Sequence, residues 1–225
     1  MKRLSLVVAR ILLMLSSVLI SSMIYSQESR IVVGFQAAPA ITSIRGNTLI
    51  DRYDSRFVIS PGITFDYKIT SNISFNSGLA FERKGAKTHM PFINMDPWMV
   101  SCQDVKLNFD YLTLPLMAAY NTNGKVNFYI GGGTFLGYLI SQKTVFGAIG
   151  DTPEQIQDHT HTMKKLDLGL SLISGINLPV AHKLIFDLGL RNFMGLVNTS
   201  KYEIADDGFI KTNSYSLVLG LKYAI

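Results

Sequence analysis

Residues 166–194 read LDLGLSLISGINLPVAHKLIFDLGLRNFM, and the direction this stretch faces decides the fold. Leu166, Leu168, Leu170, Leu172, Ile176 and Leu178 fall on one side of a two-residue repeat, and Asp167, Gly169, Ser171, Ile173, Gly175 and Asn177 fall on the other. After a turn at Pro179-Val180-Ala181-His182, the alternation resumes with Leu184, Phe186, Leu188 and Leu190. Successive strand side chains point to opposite faces, so this is a hairpin with one apolar face and one small or polar face.

The same alternation recurs along the chain. In residues 57–69, Phe57, Ile59, Ile63, Phe65, Tyr67 and Ile69 oppose Val58, Ser60, Gly62, Thr64, Asp66 and Lys68. In residues 72–82, Ile73, Phe75, Leu79 and Phe81 oppose Asn76, Gly78, Ala80 and Glu82. The last strand sets Tyr215, Leu217, Leu219, Leu221 and Tyr223 against Ser214, Ser216, Gly220 and Lys222. Residues 30–41, 104–120 and 126–141 supply three further strands, the last with Gly131-Gly132-Gly133 at its centre. In 104–120 the apolar positions change from odd (Val105, Leu107, Phe109) to even (Leu112, Leu114, Leu116). Either a bulge near Asp110-Tyr111 or a strand that leaves a membrane there accounts for the slip.

Long connections (42–56, 85–103, 142–165, 196–211) alternate with short turns (70–72, 121–124, 179–182). An eight-stranded antiparallel up-and-down barrel in an outer membrane has this rhythm, with its long loops at the extracellular end. A soluble eight-stranded barrel shares the periodicity. It would, however, expose a second face rich in Gly, Ser, Asn and Ala and poor in the Lys and Glu that suit a wet surface. It would also pack rows of Leu, Phe, Ile and Tyr into an interior that side chains of ordinary size already fill. The apolar face therefore meets lipid. Asp66, Lys68, Glu82, Asp167, Asp187, Arg191 and Lys222 then point into the lumen as a mixed-sign network, structural rather than catalytic.

Composition agrees. Hydrophobic residues make up 48% of the 225 and charged residues 16%, against about 25% charged in a soluble domain. Residues 1–26 read as an export signal: Lys2, Arg3 and Arg10 precede a serine-interrupted apolar run too short to span a bilayer. The barrel domain is then 27–225. Without those three cations the formal charge falls from +5 to +2, so nucleic acid is not an expected partner. Cys102 is the only cysteine, so no internal disulfide is expected.

At 111–120 the chain reads YLTLPLMAAY, which resembles the YLxxPLLxxY signature of the PorT-like outer membrane β-barrel family. FERKGA (81–86), GGGTFLGYLI (131–140), DLGLSLISGI (167–176), LGLRNFMGLVN (188–198) and SYSLVLGLKY (214–223) are similar to further strands of that family, in order. Thr113 stands where the family often has an acid, and the chain ends on Ile225 rather than an aromatic residue. The resemblance implies an eight-stranded barrel in the outer membrane of a Gram-negative bacterium, with a namesake associated with protein secretion.

Hidden chemistry is sparse. His159 and His161 could share a strand face beside Asp158, but no third metal ligand accompanies them. They, His89 and the loop serines are rim candidates for a lipid-modifying or hydrolytic barrel enzyme, by location only. The expectation is no catalysis, no cofactor, no metal and no pore, since eight strands leave no aqueous channel. Met90, Phe92, Trp98 and Met99 make an unusually apolar loop, read either as a segment that covers the barrel mouth or sits in the aromatic girdle at the lipid interface, or as a docking patch for a partner. Expected partners are outer membrane lipids and, through the long loops, secretion or cell-envelope proteins, with the barrel itself monomeric.

Overall fold

Alternation at period two produces strands throughout the residues that the computed structural model describes, which are 30–47, 50–93, 100–124, 126–149, 152–203 and 208–225. The export signal expected at 1–26 lies outside them. The strands are β1 (Ile31–Arg45), β2 (Arg56–Lys68), β3 (Ile73–Ile93), β4 (Val100–Asn121), β5 (Asn127–Phe146), β6 (Gln155–Asp158), β7 (Leu166–Pro179), β8 (Leu184–Gly195) and β9 (Lys211–Ala224). Each pairs antiparallel with its neighbours, β1 meets β9, and β4 meets β5. The ring is therefore eight strands. The short β6 is a ninth, added to the edge of β5 above the start of β7.

Register fixes the tilt. Stepping from Phe57 through Ile41, Tyr215, Asn192, Leu172, Gly132, Ala118 and Phe75 returns to β2 at Tyr67, so the shear is 67 − 57 = 10 residues. Eight strands with that shear tilt by about 40° and carry an apolar band roughly 25 Å tall.

The apolar rows face outward. Phe35 is 74% exposed, Phe57 65% and Leu172 61%, whereas Ser60, Asp167 and Ser171 are buried. Leu166, Leu168, Leu170, Leu172 and Leu190 of the decisive hairpin are all exposed, and Leu178 and Leu184 are half-buried at its turn. No soluble barrel would leave such rows in water, so this face is the lipid face.

Above the band the pattern inverts. Along β3 and β4 the outward residues change from Phe81 and Leu112 to Arg83, Lys87, Lys106 and Asp110, and the inward ones become Ala86, Phe109 and Tyr111. Ile44, Leu139 and Ile210 join them in a buried apolar cluster. The phase change in β4 thus marks the strand leaving the membrane. A register shift does fall between Asp110 and Tyr111, but Ile140 of β5 is the extra residue and β4 keeps one inward face throughout.

This inversion corrects the loop boundaries. The expected loop 85–103 is mostly strand: β3 runs to Ile93 and β4 starts at Val100, a ribbon in continuous register from Ile73↔Tyr120 to Ile93↔Val100. Thr42–Arg45 likewise extends β1, and 142–146 extends β5. Once the outward face turns polar, the apolar rhythm used to bound the strands disappears although the strands continue.

Among the described residues the wall opens in a seam between β2 and β3. β2 pairs with β3 only from Gly62↔Ala80 downward, and the two meet again at an Asp54–Lys87 bridge. Pro61, which lacks an N–H, sits at the foot of the seam. Side chains sew it together: Thr42 Oγ1 donates to the Gly85 carbonyl at 3.0 Å, and Arg56 donates to Asn108 Oδ1. Gly85 has φ +143°, and a Cβ there would lie 1.9 Å from the Leu107 carbonyl oxygen, so this crossing requires glycine.

Candidate functional site

Inward charges need partners, because an isolated ion in a dry lumen is costly. The lumen supplies them in three tiers. In the upper tier, Lys84 Nζ donates to Asp167 Oδ2 at 3.0 Å and to Thr212 Oγ1 at 3.3 Å, while Thr212 Oγ1 donates to the same carboxylate at 2.6 Å. The ammonium also lies 4.1 Å from the Phe135 ring centroid, a cation–π contact in a desolvated setting. In the middle tier, Arg191 donates to Glu82 Oε1 at 3.2 Å and Gln36 Oε1 at 3.3 Å, with its guanidinium carbon 4.6 Å from the Phe193 ring. In the lower tier, Lys222 Nζ bridges Asp66 (2.8 Å) and Asp187 (3.0 Å).

Two neutral side chains complete the lower tier. Asn76 Nδ2 donates to Asp66 at 2.7 Å, and the Tyr129 hydroxyl donates to Asp187 at 2.8 Å. Tyr129 reaches Asp187 across the paired glycines Gly175 and Gly189; a Cβ on Gly189 would lie 2.2 Å from its hydroxyl oxygen. Here glycine provides space for an aromatic ring inside the barrel.

Six of the seven expected lumen charges (Asp66, Glu82, Asp167, Asp187, Arg191, Lys222) thus stand in these tiers. Lys68 does not. It is exposed and borders a polar cup of about 340 Å³ at the periplasmic mouth, because β2 ends there and inward parity no longer means enclosure. The strand read at 72–82 stopped short of Lys84, which holds the upper tier; the even-numbered run Glu82, Lys84, Ala86 was the signal. A cavity of about 50 Å³ lined by Gln36, Asp66, Tyr129, Asp187, Arg191 and Lys222 leaves room for a few waters between the tiers.

Outside the membrane band the candidates scatter. Met90 and Phe92 belong to strand β3, correcting their assignment to a loop, while Trp98 and Met99 lie outside the described residues. His89 Nδ1 sits 2.6 Å from Asp104 Oδ1 on the exposed ribbon. Cys102 is exposed on the same ribbon. His159 contacts Gln157 beside a 3-10 turn at Thr160–Thr162, and among the described residues no cluster of three His, Cys, Asp or Glu could hold a metal. Asp158 is held below the usual carboxylate range by hydrogen bonds from the Thr160 side chain and backbone N–H, the latter at 2.9 Å.

The described residues thus form a closed, lipid-facing ring with three tiers of ion pairs in its lumen. The family described as "Outer membrane protein beta-barrel domain" matches residues 25–201. Among solved structures, Neisserial surface protein A is 18% identical, covering 88% of this chain and 98% of that one with a TM-score of 0.51. Outer membrane protein W of E. coli follows at 14% identity, 85% and 97% coverage and TM-score 0.42. The attachment invasion locus protein of Yersinia pestis follows at 13%, 85% and 98%, and TM-score 0.40. No curated protein matches the sequence.

Proposed function

The chain belongs to the outer membrane protein beta-barrel domain family, and from that premise we propose that it is a non-catalytic, non-conducting barrel whose extracellular β3–β4 ribbon contacts other proteins of the cell envelope. It is an outer membrane protein of a Gram-negative bacterium. The observation that carries the proposal is the contrast between its lumen and its extracellular ribbon. The lumen is filled with paired charges, which suits rigidity and not passage. The ribbon, by contrast, continues for ten residues past Arg83 on β3, with exposed Lys87, His89, Asp104 and Lys106 on its outer face. A secretion-related role, as the resemblance to the PorT-like family implies, is the finer form of this reading.

Deleting 89–104 and joining Thr88 to Val105 through Asn-Gly keeps the strand pair below intact, because a two-residue turn of that type closes a hairpin. The shortened barrel should still fold and migrate heat-modifiably. It should fail to restore delivery of secreted proteins to the cell surface in a strain lacking the full-length chain. Full restoration would sink the proposal.

A further inference from the structure

On the lipid face the outward side chains form two adjacent rows that run along the hydrogen-bonding direction. One row is Phe57, Ile41, Tyr215, Asn192 and Leu172; the other includes Leu217, Leu190, Ser174 and Ile130. Between them the backbones of Ala40, Ser216, Arg191, Ile173 and Gly131, paired in that order, form the floor of a groove holding about 590 Å³. The groove exists because short side chains (Asn192, Ser174) interrupt both rows of large ones. Following the tilt of the hydrogen-bonding direction, it rises from β5 toward the extracellular side at β1 and β2.

Two cations stand above that upper end. Arg45 of β1 and Lys211 of β9 are direct cross-strand partners on the outward side of their strands. Like charges placed opposite each other on antiparallel strands repel. Among the described residues neither is ion-paired: Arg45 donates to the Gly195 carbonyl at 2.7 Å, and Lys211 lies 4.6 Å from the Phe209 ring centroid. Asn213, two residues below Lys211, accepts from Asn192, so a polar step joins the cations to the groove. An anion lying across the pair would turn the repulsion into attraction.

We infer that this face binds one phosphorylated, acylated glycolipid of the outer leaflet, with an acyl chain in the groove and a phosphate on Arg45 and Lys211. Both features are needed. The groove takes only a chain-like apolar occupant, and the cations stand at the height of headgroups on the extracellular side, where a phosphate must belong to an outer-leaflet lipid. Removing the charges should abolish discrimination for phosphate, and filling the groove should weaken binding of every acylated form.

Native mass spectrometry of the full chain in detergent micelles, titrated with bisphosphorylated lipid A, its dephosphorylated form and phosphatidylglycerol, tests this. The wild type should retain bisphosphorylated lipid A at least tenfold more tightly than either alternative. Arg45→Gln/Lys211→Gln should lose that preference, and Lys211→Gln alone should reduce it. Ser174→Phe should weaken retention of both lipid A forms equally. Each variant changes a side chain on the outside of the wall, and heat-modifiable migration confirms that it has folded. Equal retention of phosphorylated and dephosphorylated lipid A by the wild type would overturn the inference. So would an undiminished preference in the double variant, or a stronger preference for phosphatidylglycerol.

Discussion

Lys84 and Asp167 are 83 positions apart in the chain and 3.0 Å apart in the lumen, both with fully buried side chains. The pair joins β3 to β7 across the barrel at the level where β2 and β3 part company. Removing one partner leaves the other charge buried and uncompensated, which costs about 3–5 kcal/mol. Lys84→Met or Asp167→Asn should therefore lower the temperature at which the folded gel band converts to the unfolded one. Lys84→Met/Asp167→Leu removes both charges and should lose clearly less than the two single losses added together. Additive losses would show that the two charges do not interact.

Gly189 and Tyr129 are coupled by space. Ala at 189 would put a Cβ within 2.2 Å of the Tyr129 hydroxyl oxygen and dislodge the ring from Asp187. Overpacking of this kind costs about 1–3 kcal/mol, and a hydrogen bond to a charged group contributes about 1.5–3 kcal/mol. Gly189→Ala should thus destabilise the wild type but cost much less when Tyr129 is already Ala. A double-mutant cycle on the unfolding temperature measures the coupling, and its absence would mean that the ring yields freely.

Much of the barrel could be read from the chain, and the reason is local. Phe57 to Tyr67 and Tyr215 to Tyr223 alternate cleanly because lipid demands apolar residues on one side and the narrow lumen demands small or paired ones on the other. The reading failed where that contrast fails. Lys87 faces water outside a lumen that has become apolar with Ala86, so the upper part of β3 looked like loop. Nor does alternation state which inward charge meets which. Lys84 finds Asp167 rather than Glu82, its neighbour on the same face of β3, because tilt and shear bring β7 opposite. Arg45 beside Lys211 was equally hidden, since only the β1–β9 register makes them neighbours.

Asp158 offers a pH handle outside the membrane. Its carboxylate accepts the hydrogen bonds of Thr160, which hold its titration below the usual carboxylate range. The stabilisation of this turn is therefore complete above that range and lost as pH falls through the lowered value. Thr160→Val removes the side-chain donor and should move the Asp158 midpoint back upward, as read by NMR titration of the Asp158 carboxyl carbon. An unchanged midpoint would assign the shift to the backbone N–H alone.

Depth in the bilayer separates Ile63 from Tyr67. Both face outward on β2, Ile63 about midway between Phe57 and the periplasmic border and Tyr67 at that border. An arginine near the bilayer midplane costs about 2–4 kcal/mol and one at the interface about 0–1 kcal/mol. In reversible urea unfolding from lipid vesicles, Ile63→Arg should be destabilised in the larger range and Tyr67→Arg barely changed. Equal penalties would place the membrane band at a different height on the wall.

The three lumen tiers act as barriers in series, and this decides how the barrel could be made to conduct. Glu82→Ala/Arg191→Ala removes the middle pair without stranding a charge, yet Lys84 with Asp167 above and Lys222 with Asp66 and Asp187 below still fill the cross-section. A series path conducts only when its narrowest point opens, so this double variant should carry no more current across a planar bilayer than the wild type. Current should rise only when the upper and lower tiers are also replaced by alanine, in a chain whose folding is confirmed by heat-modifiable migration. Conduction by the wild type, or by the middle-tier variant alone, would mean that the tiers do not close the lumen.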